Sequence, residues 1–317
     1  MTAFKKYFAE HSKNSLLRLV PTVIFALVAL ILYYSLPVSD DLFYESFVEI
    51  KHFRNYIPYL FCPIVAAFEL APFKDKRRFD LTFSLPIGRG AVAAAHYLNG
   101  LLHIFATVFV TTLFFFVQMV PYWEDIGVEF LLFYMIDACF LCTAFYSLCA
   151  FAFDRANSLL DGIVFEALWL FVPSVIERLI DKLFVTDALH ESIFTIRVIE
   201  SNDRFYTSLF DFRIDFSTNT IILRLVMSAI GIASGLGFFW LFVRRRPEKA
   251  GDVSNSIFGY NILLPIYGAL VALSGNVLAL VALAVGYVIF RRGLRLKPTD
   301  IVVLLAVALL IFLPLVK

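Results

Sequence analysis

Four carboxylates interrupt apolar stretches of the chain: Glu69, Asp137, Asp161 and Glu166. An acid at the centre of a helix in hydrocarbon costs roughly 2.5–3.5 kcal/mol on insertion scales, so such residues turn toward protein, water or a partner. Glu69 and Asp161 stand within about a turn of the end of their stretches, where water and basic loop residues are in reach. Asp137 and Glu166 stand deeper, roughly 10–12 Å in at the helical rise per residue. These two are the candidates for a translocation path, as an ion or proton relay. Pairing between helices, or a hydrogen-bonded structural acid, fits the same positions.

Other reactive side chains carry less. Cys62, Cys139, Cys142 and Cys149 all fall in apolar stretches, which excludes a disulfide-stapled outer domain. Cys139-x-x-Cys142 has the spacing of a metal or redox pair but no second Cys/His pair nearby, and reads as small core residues. His96 and His103 share one helical face without a third ligand or an acidic pair, so they read as interface residues and no metal site is expected. The chain has no H-E-x-x-H, and Ile232 takes the first position of the nucleophile context around Ser234-Gly235. It has no G-x-x-x-x-G-K-[ST] phosphate loop either. No catalytic residue is assigned, and an enzyme is not expected.

The most informative polar stretch runs from Lys74 to Gly90, KDKRRFDLTFSLPIGRG. Phe79 and Phe83 are four apart, as are Leu81 and Leu85, so a short helix there carries two apolar pairs. Pro86 ends it, because proline lacks the N–H and restricts the residue before it. The pattern predicts an amphipathic helix near 78–86, flanked by cations, that must bury its face against lipid or a partner protein.

The elements that position these residues follow from composition. Of 317 residues, 61% are hydrophobic and 17% charged, which is too apolar for a soluble domain of this size. The apolar residues gather in bilayer-length blocks at about 19–36, 57–73, 101–121, 129–152, 159–177, 221–243, 257–274, 277–290 and 300–316. The expected fold is an all-α polytopic membrane protein. Lys5, Lys6, Lys13 and Arg18, the run Lys74–Arg78 with Arg89, Arg244–Arg246 with Lys249, and Arg291–Lys297 fall on one side of that arrangement. The side richer in Lys and Arg is cytoplasmic, which places the N-terminus inside. Residues 2–18 are too polar for a cleavable signal, and Phe4, Tyr7 and Phe8 follow helical spacing beside Lys5 and Lys6, as in an interfacial helix. Outer loops are expected at 37–56 and 178–220. A formal net charge of +1 offers no basic field for nucleic acid.

The run Phe83-Ser84-Leu85-Pro86-Ile87-Gly88-Arg89 resembles the "SLP-(V/I)-x-R" signature of ABC-2 type transporter permeases, in the slot between the second and third spans. Arg244 to Asp252, RRRPEKAGD, is similar to the "RxxEkAG" turn after the sixth span in a subset common in Gram-positive bacteria. The resemblance covers most of residues 1–255 and implies an N-terminal interfacial helix (1–18) and a six-span core (19–243). Residues 244–317 then hold the turn and two to three extra C-terminal spans. It further implies a multi-pass permease subunit of a bacterial plasma-membrane ATP-binding cassette transporter, working as an exporter. The helix near 78–86 would be a coupling helix, with Phe79, Phe83, Leu85, Pro86 and Arg89 docking a separate ATPase subunit. ATP and Mg would be bound by that partner and not by this chain, and a second permease, identical or sister, would complete the assembly within membrane lipid. A secondary transporter or channel using Asp137 and Glu166 is the rival reading. The cargo is not legible.

Overall fold

The computed structural model describes residues 3–13, 24, 57–119, 128–184, 218–245, 248, 250–252, 254, 256–272, 278–291 and 297–312. Among the described residues the regular structure is helical, with no strand. Residues 3–13 form α1. Ile57–Leu70 is α2, and a 3-10 turn, Ala71–Lys74, leads from it into α3, Lys76–Phe83. The long helices are α4 (Arg89–Met119), α5 (Val128–Arg155), α6 (Leu159–Phe184) and α7 (Thr218–Val243). Three shorter ones follow: α8 (Tyr260–Ala272), α9 (Leu278–Arg291) and α10 (Pro298–Phe312).

Arg89–Val110, Ala138–Arg155 and Leu225–Val243 are long and apolar enough to cross a membrane. Helices also occupy the other stretches expected as spans, except 19–36, which lies outside the described residues apart from residue 24. The outer loop 37–56 lies outside them too, as does 178–220 except for the helical ends 178–184 and 218–220. The helix expected at 101–121 begins at Arg89 instead. Ala91, Ala93, Ala94 and Ala95 favour helix strongly, and the polar His96 and Asn99 that break the apolar run are buried inside the protein.

The chain divides into two compact units, residues 1–154 with 207–250 and residues 155–206 with 251–317. In the first, α4 packs against α2 and α7. Gly231 lets α7 approach α5, since a Cβ there would lie 2.5 Å from the Ala144 Cα. Tyr97 on α4 and Ser147 on α5 share a hydroxyl hydrogen bond of 2.5 Å.

In the second unit α8 packs against α6, α9 and α10. Leu283 fills the space over Gly268, and Leu283, Tyr287 and Val307 form one buried cluster. Phe165, Val172 and Leu263 form another with Ala156. The Tyr267 hydroxyl donates to the Leu168 carbonyl at 2.5 Å, and Trp169 Nε1 to the Phe258 carbonyl at 2.9 Å. α6, which falls within the stretch 19–243, is built into the unit that holds the C-terminal helices. The cause is this set of polar and aromatic contacts, which uniform hydrophobicity along the chain does not reveal.

Candidate functional site

The segment between α2 and α4 folds as its residue types dictate. The Asp75 carboxylate accepts the Arg77 backbone N–H at 3.0 Å and caps the start of α3. At the other end Ser84 N–H reaches the Asp80 carbonyl at 2.9 Å, and the Ser84 hydroxyl donates to the Leu81 carbonyl at 2.8 Å. Leu85 and Pro86 follow as an exposed turn, so the helix occupies 76–83 rather than 78–86. Proline ends it, but Ser84 has already closed its last turn.

The two apolar pairs face opposite ways. Phe79 is wholly buried, its ring 4.5 Å from Phe83 and 5.9 Å from Phe73. Phe242 of α7 closes this aromatic plug, 4.9 Å from Phe73 and 6.0 Å from Phe83. Leu81 and Leu85 point out, at 62% and 41% exposure. Of the residues expected to dock a partner, Phe79 has its ring buried against its own chain, where it anchors α3. Phe83 is half-buried in the same plug, while Leu85 and Pro86 are exposed.

Three cations fasten this segment to helix ends, where carbonyls lack helical partners and the dipole favours positive charge. Lys74, buried, donates to the Phe153 carbonyl in the last turn of α5 at 2.5 Å. Arg89 donates to the carbonyls of Val243 and Arg245 at 3.3 and 3.2 Å, with its guanidinium 5.0 Å from the Phe83 ring centre. Arg245 pairs with the buried Asp154 carboxylate at 2.8 Å and lies 5.7 Å from the centre of the Phe79 ring. Arg89 is exposed yet committed to this intramolecular role.

A second constellation lies on α1, α2 and α4. His96, Asn99 and His103 recur at i, i+3 and i+7 on one face of α4, and all three are buried. Glu69, in the last turn of α2, is 1% exposed. Its Oε1 accepts from Asn99 Nδ2 at 2.7 Å. Its Oε2 lies 2.8 Å from His11 Nε2 and 3.2 Å from His96 Nδ1. His103 Nδ1 is 3.9 Å from Oε1. From α1, the Tyr7 hydroxyl meets His96 Nε2 at 3.1 Å, and Ser12 donates to Asn99 Oδ1 at 3.1 Å. The His11 and His96 rings are 4.0 Å apart, centre to centre. Burial, with the Glu69 carboxylate beside it, pushes the Tyr7 phenol above its ordinary pKa and keeps its proton on.

Two sequence expectations are corrected here. Glu69 does not reach water or a basic loop but holds imidazole and amide donors. His96 and His103 do have an acidic partner, and His96 has His11 as a second imidazole. His11, Ser12 and Asn99 escaped sequence reasoning altogether. The signal available was three polar residues on one face of an apolar helix, which requires partners on whatever packs there.

Asp161 is likewise satisfied, accepting from Ser254 at 2.6 Å and from the Tyr260 hydroxyl at 2.9 Å. Its backbone N–H is capped by Ser158 at 3.1 Å. Glu166 is buried on α6. Asp137 falls on α5, but its side chain lies outside the described residues. Cys62, Cys142 and Cys149 are buried free thiols, and Cys62 Sγ contacts the Cys142 carbonyl at 3.7 Å. Comparison with protein-family models, with curated proteins and with solved structures finds no match in any of the three.

Proposed function

We propose that this chain is the membrane-spanning permease subunit of an ABC-2 type transporter, with α3 as the helix that receives motion from a separate ATPase. The observation that carries this reading is the construction of α3. An eight-residue helix between two apolar helices is bolted down by a buried Phe79 while Leu81 and Leu85 stay in the open. Arg77 and Arg78 are exposed on the same short helix. A helix meant only to rest on lipid has no use for cations that tie its flanks to the ends of α5 and α7. Those ties suit a rigid lever, since a push on α3 passes directly to the helices it is fastened to.

On this reading the SLP-containing turn enters a groove on the ATPase, and nucleotide-driven closure there biases the spans between two arrangements. Export across a bacterial plasma membrane, an inside N-terminus and pairing with a second permease belong to the same proposal. Leu85→Asp tests it, because it places a charge on the presented face and leaves the Phe79 plug intact. Membrane insertion should be unchanged while co-purification of an ATP-binding cassette subunit from the native membrane falls at least about tenfold, as expected for a central apolar contact. An undiminished complex would remove the docking role.

A further inference from the structure

We propose that His11, Glu69 and His96 form a binding site for a zinc-class divalent transition metal, which clamps α1 onto α2 and α4. Among the described residues this is the group whose ligand atoms converge, with one atom from each side chain and all within 4.8 Å of one another. Two imidazole nitrogens and one carboxylate oxygen make a donor set for zinc, cobalt, nickel or copper, not for magnesium or calcium.

The spacing is close to what a bound ion needs. Ligand atoms around a tetrahedral zinc sit roughly 3.4 Å apart, given bonds of about 2.0–2.2 Å. Here Glu69 Oε2 is already 2.8 Å from His11 Nε2 and 3.2 Å from His96 Nδ1. Entry of an ion requires the His11 nitrogen to draw back from the carboxylate oxygen by roughly 0.6 Å and the His96 nitrogen by roughly 0.2 Å, and His11 on the short α1 can supply that movement.

The outer contacts fit ligation equally well. Asn99 Nδ2 occupies Oε1 and leaves Oε2 for the metal. Coordination through His96 Nδ1 puts the remaining ring proton on Nε2, where the Tyr7 oxygen 3.1 Å away accepts it. The glutamate and His96 are buried, while the His11 side chain keeps 17% exposure and marks the side from which an ion enters. Hydrogen bonding alone accounts for Glu69 as an acceptor.

The test uses the full chain in detergent micelles, without a polyhistidine tag, titrated with Zn²⁺ against a chromophoric chelator at neutral pH. The site predicts one equivalent bound with a Kd of about 1 µM or tighter. His11→Ala keeps α1 helical, since alanine is the strongest helix former, yet should weaken binding at least about tenfold and abolish the zinc-dependent rise in Tm. His96→Gln should do the same, and Co²⁺ should give visible absorption bands in the wild type only. If the wild type binds zinc no better than a His11→Ala/His96→Gln double variant with an intact helical spectrum, there is no site. This outcome is independent of whether α3 docks an ATPase.

Discussion

Glu69 is the residue on which three helices meet. A carboxylate this deeply buried is tolerable only if its lone pairs are used, and Asn99, His11 and His96 use them. Removing it would leave buried donors facing one another. Glu69→Ala should therefore destabilise the protein by about 3 kcal/mol or more, seen as a lower Tm in detergent. Hydrogen exchange should localise the damage, with amides in residues 3–13 losing protection before those of α4. The sequence makes one half of this cluster visible, because a glutamate and two histidines inside apolar stretches demand an explanation. The other half was hidden: His11 comes from a segment 58 residues away, and periodicity shows which face is polar without naming what covers it. The same limit applies to Asp161, whose partners Ser254 and Tyr260 lie far along the chain.

At the scale of elements, α3 was legible as a short amphipathic helix from two apolar pairs and a following proline. Which pair faces inward was not. Spacing places Phe79 with Phe83 and Leu81 with Leu85, but only the positions of Phe73 and Phe242 decide that the phenylalanines go inside. The fastening cations are an orientation signal in the sequence and also serve as caps for the ends of α5 and α7. Arg245 shows the strength of this arrangement, since its partner Asp154 is fully enclosed. Arg245→Met takes the guanidinium away from that buried carboxylate and should cost about 1.5–3 kcal/mol, the range of a hydrogen bond to a charged group. Adding Asp154→Asn should restore much of the loss, because a neutral amide needs no counter-charge. Thermal melts of the two single variants and the double variant check this by a double-mutant cycle.

For the whole molecule, composition and block length were enough to predict an all-α protein with helices long and apolar enough to cross a bilayer, and α4, α5 and α7 have those properties. Composition could not show which helices form a unit. Every block is similarly greasy, so the grouping of α6 with α8, α9 and α10 depends on particular matches, such as Leu283 over Gly268 and Tyr267 on the Leu168 carbonyl. Transport by a partnered permease is the reading in which the exposed leucines, the buried anchor and the carbonyl-bound cations of α3 all have a purpose. The most direct test is a photo-crosslinking amino acid placed at Leu85 in the full chain in its native membrane, followed by illumination and identification of what it captures. The account predicts a polypeptide carrying a nucleotide phosphate loop, with capture changing when ATP is trapped. Adducts with lipid alone, in both nucleotide conditions, would contradict it.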